Sequence, residues 1–403
     1  MSKNPRFWHH RSVRRISIHA FASVESGRSL THCSQSVTHF CNNRTSSLNI
    51  THPRPSANPF NEWRPTISKP IDSLTERRRR HIDELINRIR ESADKLAADG
   101  TSRGDLKLLS RAIAELRYAF KVFAPYRDIR KATVFGSART QPSDPAYQQA
   151  VDLGRTMAAL EWMVITGAGP GIMEAAHVGS GREHAMGLNI ILPFEQDAHS
   201  VISGDPKLVN MKYFFTRKLM FVKECDAVVC IPGGFGTMDE ALEVLTLLQT
   251  GKRDMIPVLL LNAPGDDYWD QLNEFIHKQL LERGMISEED LALYRVTDSC
   301  AEAVEELTNF FRVYHSMRYV RDQLVFRVQA PLTEAHLEHI NANFADILTA
   351  GKFELSTHLP AEKDEPALTN MPRLVFEFNR RNHGRLRQLI DYINSTAPQD
   401  ELA

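Results

Sequence analysis

Residues 131–314 are predicted to form an α/β fold, a doubly wound and mainly parallel sheet, on two observations. Short β-branched apolar runs alternate with longer stretches whose apolar residues recur at helical spacing, and Gly-rich turns stand directly after several of the runs. Alternating strands and helices pair into a parallel sheet. Turns at the carboxyl ends of its strands converge on one crevice, where ligands of such sheets bind. Residues 71–130 read as a helical hairpin, 315–403 as a small α+β module, and 1–70 as a basic tail outside the fold.

A chain of 403 residues with 42% apolar and 25% charged residues has the composition of an ordinary globular protein. Its formal net charge of −1 argues against a broad nucleic-acid surface, and no apolar run reaches membrane-spanning length. The five cysteines (Cys33, Cys41, Cys225, Cys230 and Cys300) are odd in number and include no CxxC pair. That points to a reducing compartment, with neither a disulfide framework nor a structural zinc. The first seventy residues are rich in Arg, Ser and His, and Glu25 is their sole acid before Glu62. Such a stretch resembles an organelle transit peptide. A disordered tail, or a segment upstream of the true start codon in a cytoplasmic protein, fits equally well.

Taken in order, Ser73-Leu74-Thr75-Glu76 has capping-box spacing. It opens a helix carrying Ile82, Leu85, Ile86, Ile89, Ala93 and Leu96 on one face, which stops at Asp99-Gly100. A second helix runs through Leu106, Leu109, Ile113, Leu116, Phe120 and Phe123 and ends before Pro125. This hairpin should pack on the main domain or on another subunit. The run Arg77 to Arg80 reads as a solvated face.

The strand Ala132–Phe135 runs into Gly136-Ser137-Ala138-Arg139, and a helix follows through Leu160. The strand Trp162–Thr166 meets Gly167-Ala168-Gly169-Pro170-Gly171, and a helix opens at Ile172. The strand Ala185–Leu192 stops at Pro193. The run Val209–Phe215 leads to a helix from about Thr216 to Glu224. Further alternation comes from the strand Met255–Leu261, the helix Tyr268–Arg283, and Val296-Thr297 with the helix Ala301–Phe311. Beyond residue 315, strands are expected at 323–328, 353–357 and 373–378 and helices at 333–349 and 383–393. That module carries no Gly-rich turn and no acid–base cluster.

The stretch Cys230–Glu240 organises the chain. It lies between the buried run Asp226–Val229 and a helix through Leu248. Gly233, Gly234 and Gly236 allow close approach of another group. Thr237 adds a hydroxyl, and the first helical turn offers free N–H groups to an anion. Glu240 lies one turn in. An acid beside an anion site is a cost unless it has a task, and a bare packing turn accounts for neither Thr237 nor Glu240. Arg217 opens the preceding helix, with Lys218 after it, at a neighbouring strand end in such a sheet. The turn at Gly167–Gly171 fails as a dinucleotide fingerprint, because its third glycine comes one residue early and no acid stands about twenty residues on. No Walker A order is present, and no lysine is singled out as a Schiff-base partner for pyridoxal phosphate. A single phosphate group fits best.

These motifs together resemble the LOG ("Lonely Guy") family of nucleoside 5′-monophosphate phosphoribohydrolases. The matching residues are Gly136–Arg139, Gly167–Ala176, Gly187–Pro193, Arg217-Lys218, and Pro232-Gly233-Gly234-Phe235-Gly236-Thr237 with Glu240. The resemblance covers about 130–312. It implies hydrolysis of an N-glycosidic bond to free base and ribose 5-phosphate, a homodimer or larger assembly, and no metal or organic cofactor. It implies Arg217 and Glu240 as the catalytic pair. Gly233, Gly234, Gly236 and Thr237 would hold the phosphate, and Gly136, Ser137, Arg139, Gly169, Gly171 and Lys218 would line the nucleotide site. Some members carry a lysine decarboxylase label, which nothing in these residues supports. Where plant-like members place Met-His before the arginine, this chain has Phe214-Phe215-Thr216. That points to a bacterial-type branch and weighs against cytokinin substrates, and from the family alone AMP or a related purine nucleotide is the expected substrate. A second reading from the same resemblance is a carrier that binds a nucleotide or molybdenum cofactor without cutting it.

Overall fold

A computed structural model describes residues 76–192, 198–362 and 365–396, all within one compact unit spanning 64–403. The expected basic tail, the cap residues Ser73 to Thr75 and Pro193 lie outside the described residues.

The central sheet has seven strands, every pair of them parallel. They are β1 (Lys131–Phe135), β2 (Met163–Thr166), β3 (Ala185–Ile190), β4 (Leu208–Met211), β5 (Ala227–Cys230), β6 (Val258–Leu261) and β7 (Arg295–Thr297), in the spatial order β4-β3-β2-β1-β5-β6-β7. β1, β2, β5 and β6 are buried along their whole lengths, as near-continuous apolar runs in a sheet covered on both faces should be.

The helices between the strands are α3 (Pro145–Ala159), α4 (Ile172–His184), α5 (Phe214–Glu224), α6 (Phe235–Gln249), α7 (Tyr268–Phe275) and, after β7, α8 (Cys300–Asn309). α3 packs against both α4 and α8, while Lys218 on α5 bridges to α6. From β1 the chain winds outward through β2 and β3. From β5 it winds the opposite way through β6 and β7. The reversal falls between β1 and β5, so the crevice above their carboxyl ends is the topological switch point.

Two helices precede the sheet, α1 (Glu76–Ala98) and α2 (Arg103–Phe123). α2 packs on α5 and β4 and buries Ala112, Glu115, Ala119 and Phe123, so this second helix is seated on the main domain. Ile82, Leu85, Ile86 and Ile89 of α1 are exposed.

The carboxyl-terminal module is a four-stranded antiparallel sheet in the order β10-β11-β9-β8. Its elements are β8 (Tyr314–Val320), β9 (Gln323–Val328), α9 (Glu334–Asn343), β10 (Leu348–Ser356), β11 (Arg373–Phe378) and α10 (His383–Ser395). β8 has no counterpart in the sequence-based expectation, because His315, Ser316 and Arg318 interrupt its apolar pattern. The helix expected to reach residue 349 ends at Asn343, and the chain has already entered β10 by Leu348. The module is a tandem ββα repeat. Leu-Val-Phe recurs at 324–326 and 374–376, and the two segments pair across the sheet with Val325 opposite Val375, where an approximate two-fold axis passes. α10 packs on α6 and on the turn 288–293 that follows α7.

Candidate functional site

Three turns interlock at the switch point. The Ser137 N–H after β1 donates to the Pro232 carbonyl after β5 (3.1 Å), and the Ile172 N–H at the start of α4 donates to the Ser137 carbonyl (3.0 Å). Gly171, at φ 70°, stands where a Cβ would lie 2.3 Å from the Ser137 carbonyl, so only glycine lets these two turns meet. A Cβ on Gly233 would lie 2.9 Å from the Ser137 nitrogen and 2.2 Å from Thr237 Oγ1. Gly234 and Gly236, by contrast, face open space.

That space is a hollow of about 850 Å³, the size of a small-ligand site. Among its lining residues are Gly136, Ser137, Arg139, Gly169, Arg217, Gly233, Gly234, Gly236, Thr237 and Glu240. The structure thus gathers ten of the twelve residues singled out from the sequence around one cavity. Arg139 is exposed at its rim, and Ser137 Oγ accepts from the Arg139 N–H (3.1 Å) to hold the turn. The remaining two are placed differently. Gly171 is buried as a joint between turns. Lys218 points its ammonium at the carboxylates of α6, 2.7 Å from Asp239, 2.5 Å from Glu243 and 3.8 Å from Glu240.

α6 begins at Phe235, so Gly236, Thr237 and Glu240 belong to its first two turns rather than to the preceding loop. The Thr237 and Met238 N–H groups donate back to the Gly234 carbonyl (3.1 and 3.2 Å), which leaves those of Phe235 and Gly236 without an intrahelical acceptor beside the hollow. Glu240 is buried, and its Oε2 has no hydrogen-bond partner. Burial raises its carboxyl to about 7, against the opposing pull of Lys218 and Arg217. Burial likewise lowers the Arg217 guanidinium from its ordinary value, with Glu240 opposing. The Arg217 guanidinium lies near the faces of Phe214 (5.1 Å) and Phe221 (5.5 Å), and its Nη1 is 3.6 Å from where a Cβ on Gly167 would stand. Its Nε is also without a partner. A buried acid and a half-buried guanidinium with spare hydrogen-bonding capacity on one cavity wall are a frequent mark of chemistry.

Two supporting residues were not legible in the sequence. Glu115 on α2 is buried and accepts from the Lys212 N–H (2.9 Å) and Thr216 Oγ1 (2.8 Å), fixing the start of the helix that carries Arg217. Burial opposes its ionisation, but hydrogen bonds from Lys212, Arg111 and Thr216 outweigh that and hold its carboxyl below the usual value. Tyr268, at the start of α7, donates its hydroxyl to the Gly233 carbonyl (2.6 Å). Each acts on a loop distant in sequence, which no local pattern reveals.

Fold and cleft define a Rossmann-like α/β protein with a ligand-sized hollow at its switch point. Residues 171–307 match a family described as "Possible lysine decarboxylase". Cytokinin riboside 5′-monophosphate phosphoribohydrolase LOG3 of Arabidopsis thaliana is 33% identical over 190 residues, which cover 45% of this chain and 83% of the relative. LOG4 of the same plant, of the same description, is 31% identical over 186 residues, covering 44% and 82%. The chain belongs to the LOG family, a family of nucleotide phosphoribohydrolases. Among solved structures, the molybdenum cofactor carrier protein of Chlamydomonas reinhardtii aligns over 44% of this chain and 98% of its own, with 18% identity and a TM-score of 0.31. Among the described residues no helix is long and apolar enough to cross a membrane, and no group of side chains is arranged to hold a metal ion.

Proposed function

We propose that the protein hydrolyses the N-glycosidic bond of a nucleoside 5′-monophosphate, releasing free base and ribose 5-phosphate. The observation that carries this reading is the buried carboxylate of Glu240, whose Oε2 accepts no hydrogen bond, one helical turn behind an open amide cradle and sharing its hollow with Arg217. The amides around Gly234 and Gly236, with Thr237, take the phosphate. Breaking the bond builds positive charge on the ribose, as in glycoside hydrolysis. Ionised Glu240 stabilises that charge and orients the attacking water, while Arg217 holds phosphate and carboxylate in register. Preorganised charge of this kind is often the largest catalytic contribution.

The aromatic pair Phe214–Phe215 ahead of Arg217 supports a bacterial-type member acting on AMP or a related purine nucleotide, whereas the plant relatives above are described as acting on cytokinin riboside 5′-monophosphates. Phe214, Phe215, Leu219, Phe235 and Leu242 are exposed on α5 and α6 beside the hollow, which supports a homo-oligomer covering that face. The described residues lining the hollow include no lysine, so a decarboxylase built on a lysine Schiff base finds no nucleophile there. The test is incubation with a panel of nucleoside monophosphates and an assay for ribose 5-phosphate. Release from AMP that falls sharply in Glu240→Gln is the expected result. Tight binding without release from any nucleotide would replace the hydrolase with a carrier.

A further inference from the structure

We propose that Tyr268 is a positioning residue of the phosphate cradle, aiming one backbone amide at the ligand; this rests on the phosphate-binding reading above. The peptide between Gly233 and Gly234 is planar, and in the trans form its C=O and N–H point in opposite directions. Its carbonyl is held by the Tyr268 hydroxyl at 2.6 Å. Tyr268 begins α7, which leaves the carboxyl end of β6, and β6 flanks β5 on the side away from β1. A carbonyl drawn toward β6 turns the Gly234 N–H back toward β1, into the switch-point crevice.

The preceding peptide is pinned from the other side, where the Pro232 carbonyl accepts from the Ser137 N–H. Successive carbonyls of the loop are therefore tied to opposite walls. The loop can neither roll nor swap the directions of its amides without breaking one tie. Tyr268 itself sits on a rigid footing. Trp269 beside it is fully buried, the two rings meet edge to face at 4.8 Å, and the Trp269 N–H donates to Asn262 Oδ1 at 2.7 Å. Asn262 follows directly on β6, and its own amide donates to Asp270 at 2.6 Å. The tyrosine thus transmits the position of the sheet to the phosphate loop, and it lines the same hollow as the loop.

The test is Tyr268→Phe, which removes the hydroxyl and leaves the ring packing. Losing one well-aimed donor to a charged group corresponds to about tenfold in affinity. KM for AMP and the inhibition constant of ribose 5-phosphate are expected to rise about tenfold each, with kcat changed less than about threefold and thermal unfolding unaltered. Adenosine, which lacks the phosphate, is expected to inhibit both proteins equally. Unchanged constants for AMP and ribose 5-phosphate, or a fall in kcat at constant KM, would overturn the proposal. Calorimetric binding of AMP and inorganic phosphate reads the same residue without turnover. If the wild type proves to bind AMP but not cut it, a tenfold loss in Tyr268→Phe still supports the positioning role. Failure of wild type to bind either anion would overturn it.

Discussion

The two Gly-rich turns at the switch point look alike in sequence and do opposite work. In the turn after β2, a Cβ on Gly167 or Gly169 would strike the Met173 side chain, at 2.8 and 2.7 Å, and one on Gly171 would strike the Ser137 backbone. Gly171 is closed by backbone, while Gly167 and Gly169 line the hollow and are covered by the flexible end of Met173. In the turn after β5, Gly233 is packed in the same way, but Gly234 and Gly236 meet nothing. In the proposed function that open space, on the wall of the hollow, is where the phosphate lies. What separates a joint from a receptor is the neighbour a Cβ would meet, not the number of glycines.

The contrast can be broken most severely at Gly171. Gly171→Ala combines a positive φ with a backbone clash that no side-chain movement relieves, so a loss of at least about 3 kcal/mol of stability is expected. Denaturant unfolding, or failure to obtain soluble protein, reads it. A variant as stable as wild type would mean the turns separate at little cost.

Removing the charge of Glu240 should affect rate and stability in opposite directions. Glu240→Gln is expected to lower kcat about 10²–10³-fold. Because burial raises the folded carboxyl to about 7 from an ordinary 4.5, folding favours the protonated form. That contribution is complete below pH 4.5 and is lost as pH rises through about 7. The variant should therefore be more stable than wild type at pH 8, by about 2–3 kcal/mol, with the gain vanishing near pH 4.5. Thermal unfolding across that range checks the sign. If Glu240 acts as carboxylate, kcat/KM of the wild type should fall with acidification below pH 7, approaching tenfold per unit.

The mildest change is on the receptor side. Gly236→Ala lies in the first turn of α6 with open space around it, so stability should be unchanged or up to about 1 kcal/mol greater. Its nucleotide affinity should nonetheless fall at least about tenfold, since the new methyl fills the cradle and costs a charged hydrogen bond. Equal affinity for AMP in the variant and wild type would place the phosphate elsewhere.

The fold was legible wherever one physical signal dominated. The apolar β-branched runs of β1, β2, β5 and β6 are fully buried, so burial on both faces wrote them plainly. β8 was hidden because the half-buried His315, Ser316 and Arg318 fall on both of its faces and break the alternation. Helix starts shifted for a related reason. α5 begins at Phe214 rather than Thr216, with Glu115 of the distant hairpin bonded to the Lys212 N–H and Thr216 hydroxyl at its entrance. In the site, the glycines, Thr237, Arg217 and Glu240 could be read locally, because strand, turn and helix start follow one another along the chain. Lys218 could not. Its side chain turns toward Asp239 and Glu243 on α6, a pairing set by how two helices cross. Glu115 and Tyr268 were invisible for the same reason, since each is tied to a loop far away in sequence.

The most direct measurement is a crystal structure of the protein with AMP. The phosphate is expected within hydrogen-bond reach of the Gly234 and Gly236 amides and the Thr237 hydroxyl, with the glycosidic carbon turned toward Glu240. A nucleotide bound outside the switch-point hollow, or one whose phosphate lies away from the start of α6, would contradict it.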